Sequence, residues 1–327
     1  MASLWAVLGV LATVAVEPAR TVTFRSGGSV FLAALSEGQL QLAHAGRRLH
    51  PRPPLAADGF ALPAAGPGGL GLYAARGATV VCLDGAHGEW REVATLSQPV
   101  AQLVAAPDDG AAMVVLTGLP GEPVLRDGAV WRLPLAPEAR PLRLASVRDG
   151  YRPWRLWPTG RDGQAHLAVG AYRATRLAPF EHRCMFVYRW SAGGCEPVWL
   201  GSRLGRPYVD AAHADLRGDG QWRMIAVEET EDGGRGLGIY RPLSFGYEGE
   251  WRTEALAGLR EVAAWGPVVV VGGDGWAARL QPEREGYRLV RLPVAPPALA
   301  QAVVWQGQLA GWWDGQWQPP ASEGSAP

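Results

Sequence analysis

Six side chains between positions 203 and 228 carry most of the chemical potential in this sequence: Arg203, Tyr208, Asp210, Asp215, Asp219 and Glu228. Asp215 and Asp219 bracket Arg217 in Asp215-Leu216-Arg217-Gly218-Asp219-Gly220. Carboxylates recurring at short spacing in a tight loop are how a chain gathers oxygens around calcium, which takes about six to eight of them. Asp210 and Glu228 sit at the ends of apolar runs, where a pair of acids could serve as general acid and base. Arg203 and Tyr208 beside them offer hydrogen bonds to a ligand. No nucleophile, base and orienting group assemble anywhere in the chain. Binding, not catalysis, is the expectation for Arg203, Tyr208, Asp210 and Glu228.

Other chemistries are excluded by residue type. All 31 basic residues are arginine, so there is no lysine for a Schiff base or a phosphate loop, and no asparagine for N-glycosylation. Lysine, asparagine and isoleucine share A/T-rich codons, and their scarcity reads as a G+C-rich genome. Thirty-one acidic residues balance the basic ones, which argues against a nucleic-acid binder. Cys82, Cys184 and Cys195 form no C-x-x-C pair. A tight turn at Ser191 to Gly194 would set Cys195 opposite Trp190 and leave Cys184 out of reach, so three buried thiols are expected. The six histidines lack ligand spacing, and no serine sits in a G-x-S-x-G elbow. Gly66-Pro67-Gly68-Gly69-Leu70-Gly71 matches G-x-G-x-x-G but precedes a strand, not a helix, and reads as a loop.

The elements that must position these residues are short strands. Turn dipeptides such as Asp84-Gly85, Asp127-Gly128, Asp162-Gly163, Asp219-Gly220 and Asp274-Gly275 alternate with runs rich in valine, leucine and tryptophan. Seven apolar runs, starting at Val30, Leu70, Met113, Leu167, Ile225, Val269 and Leu309, are spaced 40, 43, 54, 58, 44 and 40 residues apart. A period of this size, with about four short strands per unit, predicts an all-β chain folded as a seven-bladed β-propeller. Six or eight blades are left open, because the end units are the least regular. One unit shows the four strands in order: Glu261 to Trp265, Pro267 to Gly272, Trp276 to Gln281 and Tyr287 to Leu292. The two longest units carry extra loops at Ala174 to His182 and Thr230 to Arg235.

The stretch from Ser202 through Pro207-Tyr208-Val209-Asp210, Ala214-Asp215-Leu216-Arg217-Gly218-Asp219-Gly220 and Met224-Ile225-Ala226-Val227-Glu228 resembles the FG-GAP repeat of integrin-alpha-like propellers. Trp157 to Gly163 followed by His166 to Gly170 is similar but weaker. In that family an aspartate-rich turn joins two blade strands and holds calcium. Matched to it, Asp215 and Asp219 keep the first and fifth loop positions, while Arg217 and Arg223 occupy the third and ninth. In the earlier unit only Asp162 survives. Two cations where a dication would sit imply a degenerate site, with Arg217 neutralising Asp215 and Asp219; no cofactor is expected, calcium being the alternative.

The chain divides into an apolar segment at 1–16, one propeller domain at 17–318 and a disordered tail at 319–327. Leu4 to Val16 is too short to span a bilayer. It reads either as a signal-peptide core lacking a basic flank or as the strand that closes the ring. Trp90, Trp131, Trp199 and Trp251 recur at blade positions and are assigned to packing, whereas Trp154, Trp157, Trp312 and Trp313 are the candidates for an exposed surface. The resulting expectation is a monomeric, non-enzymatic scaffold, extracytoplasmic or at the cell surface, presenting loops to a protein or carbohydrate; a cytoplasmic setting is the alternative. The competing reading is a glycan hydrolase or lyase that uses Asp210 and Glu228 at the central channel.

Overall fold

The computed structural model describes residues 21–318 apart from short connecting stretches, the longest being 50–58, and describes side chains over most of 73–299. The 1–16 segment, Arg203 and the 319–327 tail lie outside the described residues.

The strands run in order as antiparallel meanders. β1 (Thr21–Ser26), β2 (Ser29–Ser36), β3 (Gln39–His44) and β4 (Arg47–Leu49) make one sheet. Five further four-stranded sheets follow in sequence. The first of them holds β5 (Gly59–Gly66), β6 (Gly69–Arg76), β7 (Thr79–Asp84) and β8 (Glu89–Thr95), and the next β9 (Val100–Ala105), β10 (Ala112–Leu119), β11 (Arg126–Pro134) and β12 (Leu142–Arg143). Then come β13 (Arg155–Arg161), β14 (Gln164–Thr175), β15 (Ala178–Ser191) and β16 (Gly194–Leu200). They are succeeded by β17 (Tyr208–Ala214), β18 (Arg223–Glu229), β19 (Arg235–Pro242) and β20 (Tyr247–Arg252). The last four-stranded sheet is β21 (Leu259–Trp265), β22 (Val268–Gly273), β23 (Trp276–Pro282) and β24 (Tyr287–Arg291), and β25 (Ala302–Trp305), β26 (Gln308–Trp313) and β27 (Gln316–Gln318) form a three-stranded one. The first strand of each sheet lies beside the first strand of the next from β1 to β21, and β25 returns to lie beside β1.

The central strands β10, β14, β18 and β22 are each sandwiched between two seams, which explains their continuous apolar runs. Side chains alternate across a strand. Val269 and Val271 of β22 therefore enter the seam toward β17–β20, and Val270 enters the opposite one. Ile225 and Val227 of β18 face β21–β24, while Met224 and Ala226 face β13–β16. Asp162 and Gly163, both at positive φ (52° and 71°), make the two-residue turn between β13 and β14.

The four strands read in the Glu261 to Leu292 unit are β21 to β24, within two residues at each end. The Ala174 to His182 loop is corrected. β14 and β15 run on through it with Arg173 opposite His182 and Thr175 opposite Ala178, so it is a long two-stranded hairpin. Thr230 to Gly234 is a compact turn closed by Thr230 N–H to Gly234 O at 3.0 Å. Cys195 pairs with Trp190, Cys184 lies opposite Ala171, and all three thiols are buried and outside any disulfide. Burial pushes the Cys184 thiol up to about 12.

Candidate functional site

The site is built on the first strands. Gln102 of β9 donates to Leu156 O at 2.9 Å and accepts from Leu156 N–H at 2.8 Å, clasping β13 of the next sheet. Asp210 of β17 accepts Val262 N–H of β21 at 2.9 Å. Glu261 of β21 in turn accepts Leu299 N–H at 2.8 Å. Gln102, Asp210 and Glu261 each follow a register shift in their own strand, at Val100/Gln102, Tyr208/Asp210 and Leu259/Glu261. A bulge of this kind re-aims the side chain after it. Here it turns a polar group toward the neighbouring backbone.

β13 breaks the pattern. Its register against β14 is uninterrupted, and the corresponding side chain is Arg155, a donor where the others accept. Arg155 cannot take an N–H, so it donates to the Asp210 carboxylate, and Asp210 Oδ1 also accepts the N–H of its own neighbour Ala211 at 2.9 Å. Trp157 completes the join by donating to Ala211 O at 2.8 Å. Arg155 is 1% exposed, and burial lowers its guanidinium to about 9. It lies over the Trp157 ring at 5.1 Å.

The expected site residues are therefore distributed as follows. Asp210, 7% exposed, has both oxygens engaged by Arg155 and by backbone amides of two strands. Glu228, 1% exposed, accepts from the Tyr240 hydroxyl and from Arg252 Nε at 3.0 Å. Gly238 makes room for that carboxyl, because a Cβ there would meet it at 2.5 Å. Tyr208 is opposite Glu228 in the register, but its hydroxyl, 2% exposed as a residue, has no hydrogen-bond partner among the described residues. Burial holds that phenol well above its ordinary range. Tyr208, Asp210 and Glu228 thus come together at one end of the β17–β20 sheet.

The aspartate turn is arranged differently from the expected pairing. Asp215 accepts the amides of Asp219 and Gly220 at 3.1 and 2.9 Å. Arg223, not Arg217, pairs with Asp219, at 2.5 Å, and also with Glu250 at 3.1 Å. That Arg223 bond is the main cause holding the Asp219 carboxyl below its usual value. Arg217 leaves the turn, bonds Glu283 O at 2.9 Å and covers the Tyr287 ring at 4.8 Å in the next sheet. A guanidinium already on the best-placed carboxylate does not fit a site for a dication. Among the described residues no cluster of three metal-ligating side chains occurs.

Trp154 and Trp157 correct a second expectation: both are buried, at 6% and 0% exposure. They meet edge to face at 5.7 Å, and Trp154 approaches Tyr208 at 6.3 Å. Gly170 permits this, since a Cβ there would strike the Trp154 ring at 2.8 Å. The same seam runs on to the far edge, where Thr159, His166, Trp199, Trp222, Leu243 and Tyr247 line a cleft of about 380 Å³, counting its open mouth. His166 donates to Gln164 O at 3.0 Å, and burial lowers its pKa.

No family model matches the chain, and no curated protein matches it in sequence. In structure, 89% of the chain is similar to the Cps50 (Swd1) β-propeller domain of Myceliophteria thermophila, covering 94% of that chain at 14% identity and a TM-score of 0.54. The fold is a β-propeller. It is also similar to the tricorn protease at 11% identity and a TM-score of 0.51, with 92% of this chain covering 33% of that one. The sheets are accordingly blades, and the clasps link successive blades.

The sequence reading missed Gln102, Arg155 and Glu261, and it placed Trp157 at the surface. It aligned the units on their second strands, where the apolar runs lie, while the clasps are on the first. A signal was present. The bonds from Gln102 to Leu156, Arg155 to Asp210 and Asp210 to Val262 span 54, 55 and 52 residues, the period of the blades themselves.

Proposed function

We propose that this protein is a non-enzymatic, seven-bladed propeller scaffold that presents one edge to a protein partner. The observation that carries the reading is the state of the two candidate catalytic acids: Asp210 and Glu228 are both consumed by bonds within the fold. A general acid or base must reach a substrate proton, and neither carboxylate has a free oxygen facing solvent. The partner edge is the one where β13 and β17 begin, called here the leading edge. The β14–β15 hairpin ends there, with Phe180 52% exposed at its tip. Arg152 covers Tyr172 and Arg173 covers Tyr151 along its base, both at 4.9 Å, so the projection is stiffened by stacked cations. The Asp215 to Gly220 turn is, on this reading, a degenerate FG-GAP-like turn that keeps its shape through Arg223 instead of calcium.

The test compares the protein with a variant in which residues 174–182 are replaced by a two-residue turn. A partner retained from source extract by the first and lost from the second, at unchanged melting temperature, supports the scaffold. Polysaccharide turnover that Glu228→Gln abolishes would overturn it in favour of the hydrolase or lyase.

A further inference from the structure

Four buried hydrogen-bond donors at the leading edge of the seam between β13–β16 and β17–β20 have nothing to donate to. Trp154 Nε1, Arg155 Nε, Arg183 Nε and the Tyr208 hydroxyl are buried atoms without a hydrogen-bond partner among the described residues. Three of the side chains, Trp154, Arg155 and Tyr208, are more than nine-tenths buried. They are close together: the Trp154 and Tyr208 rings are 6.3 Å apart, Arg183 Cζ is 5.3 Å from the Trp154 ring centre, and the charges of Arg183 and Arg155 both act on the Tyr208 phenol.

The charge is one-sided as well. Asp210 neutralises Arg155 and has no oxygen left, since Arg155, Ala211 N–H and Val262 N–H take both. Arg183 makes no ion pair among the described residues; its hydrogen bond is NH2 to Pro123 O at 3.2 Å. Arg183 is half-buried and is the member of the cluster that reaches solvent. A buried donor without an acceptor costs about 1–3 kcal/mol. Donors held together with one uncompensated guanidinium are the chemistry that answers an anion accepting several hydrogen bonds at once.

We propose that this cluster binds a carboxylate, either the side chain of an acidic segment on the partner protein or a free small organic acid. The inference deepens the scaffold reading and rests on the leading edge being the partner face. The carboxylate oxygens would take the protons of Trp154, Tyr208 and Arg183, with Arg183 swinging off the Trp154 ring to close over the bound group. Tyr208 serves as a donor throughout, because burial keeps its phenol protonated.

The test is titration of the whole protein with two probes, glutarate and a hexaglutamate peptide, at low and high salt. Saturable binding that weakens with salt is expected. Tyr208→Phe, which removes one donor and keeps the ring, should weaken it at least tenfold without lowering the melting temperature, and Trp154→Phe, which removes the indole N–H together with its five-membered ring, should weaken it at least as much. Arg183→Gln should do the same, and Arg291→Gln, over Trp276 in the β21–β24 blade and outside this seam, should leave it unchanged. Equal binding of both probes assigns the site to a small acid, and binding of the peptide alone assigns it to an acidic segment; both support the proposal. Binding of neither probe, or full binding by Tyr208→Phe, overturns it. A hairpin-dependent partner whose retention is indifferent to Tyr208→Phe and Trp154→Phe would sink the carboxylate site and leave the scaffold standing.

Discussion

The β17–β20 blade has two faces, and they are made of different material. Toward β21–β24 it packs Ile225, Val227, Leu237 and Ile239 against Val262, Val269 and Val271, all fully buried and with no polar atom among them. Toward β13–β16 it packs Tyr208, Met224 and Tyr240 against Trp154, Trp157, Met185 and Trp199. That second seam also holds Arg155, His213 and the unanswered donors. An aliphatic seam is satisfied by shape alone. An aromatic one brings ring N–H and hydroxyl groups that need partners. The difference lies in what is left unanswered: the guanidinium buried on the β21–β24 side, Arg223, is paired with Asp219 and Glu250, whereas Trp154, Arg155 and Tyr208 each keep a donor without a partner among the described residues.

The largest expected effect comes from breaking the polar seam at its centre. Asp210→Ala strands the Arg155 charge and should destabilise by about 3–5 kcal/mol in urea unfolding. If Asp210→Ala costs less than 1 kcal/mol, the clasp is ornamental and the comparison collapses. On the aliphatic side, Ile239→Ala should cost about 2–4 kcal/mol through the cavity it leaves, with no change in how stability varies with pH.

Acid should then separate the two seams. His213 is buried in the polar one, against Trp157 at 5.6 Å and the Tyr247 hydroxyl at 3.2 Å. Burial first, and the Arg155 charge second, lower its pKa from 6.5 to about 3. The unfolded chain therefore takes a proton that the native state refuses. The stability it contributes is complete above about pH 6.5 and is lost as the pH falls toward 3, at about 1.4 kcal/mol per unit. The slope between pH 6.5 and 5 should flatten in His213→Gln and persist in Ile239→Ala; an unchanged slope in His213→Gln would place the acid-labile group elsewhere. The smallest effect is Trp157→Phe, which removes the bond to Ala211 O and one ring of a fully buried indole and should cost about 2 kcal/mol.

The architecture was legible because turn chemistry and burial leave local marks. Asp162-Gly163 fixes a hairpin at its own position, and Val269-Val270-Val271 announces a strand covered on both faces. The Cys195 to Trp190 pairing followed from the turn alone. The candidate site was legible only as a neighbourhood. Tyr208, Asp210 and Glu228 do gather at one blade end, but what each bonds depends on Arg155, Arg252 and Val262, which lie in other strands. Trp154 and Trp157 were assigned to the surface because they fell outside the tryptophan rhythm. They fell outside it because they occupy a first strand and the approach to it, where the seam is narrow and a flat ring fits against Gly170.

The clasps also point one way along the chain. Gln102 holds β13, Trp157 holds β17, Asp210 holds β21, and Glu261 holds the residue leading to β25. On a ribosome, where the amino end emerges first, each finished blade would already display the side chain that awaits its successor. Assembly can then advance as a ratchet in the order of translation, and a polypeptide interrupted before Leu299 would lack the amide that Glu261 holds, a difference between an incomplete ring and a closed one.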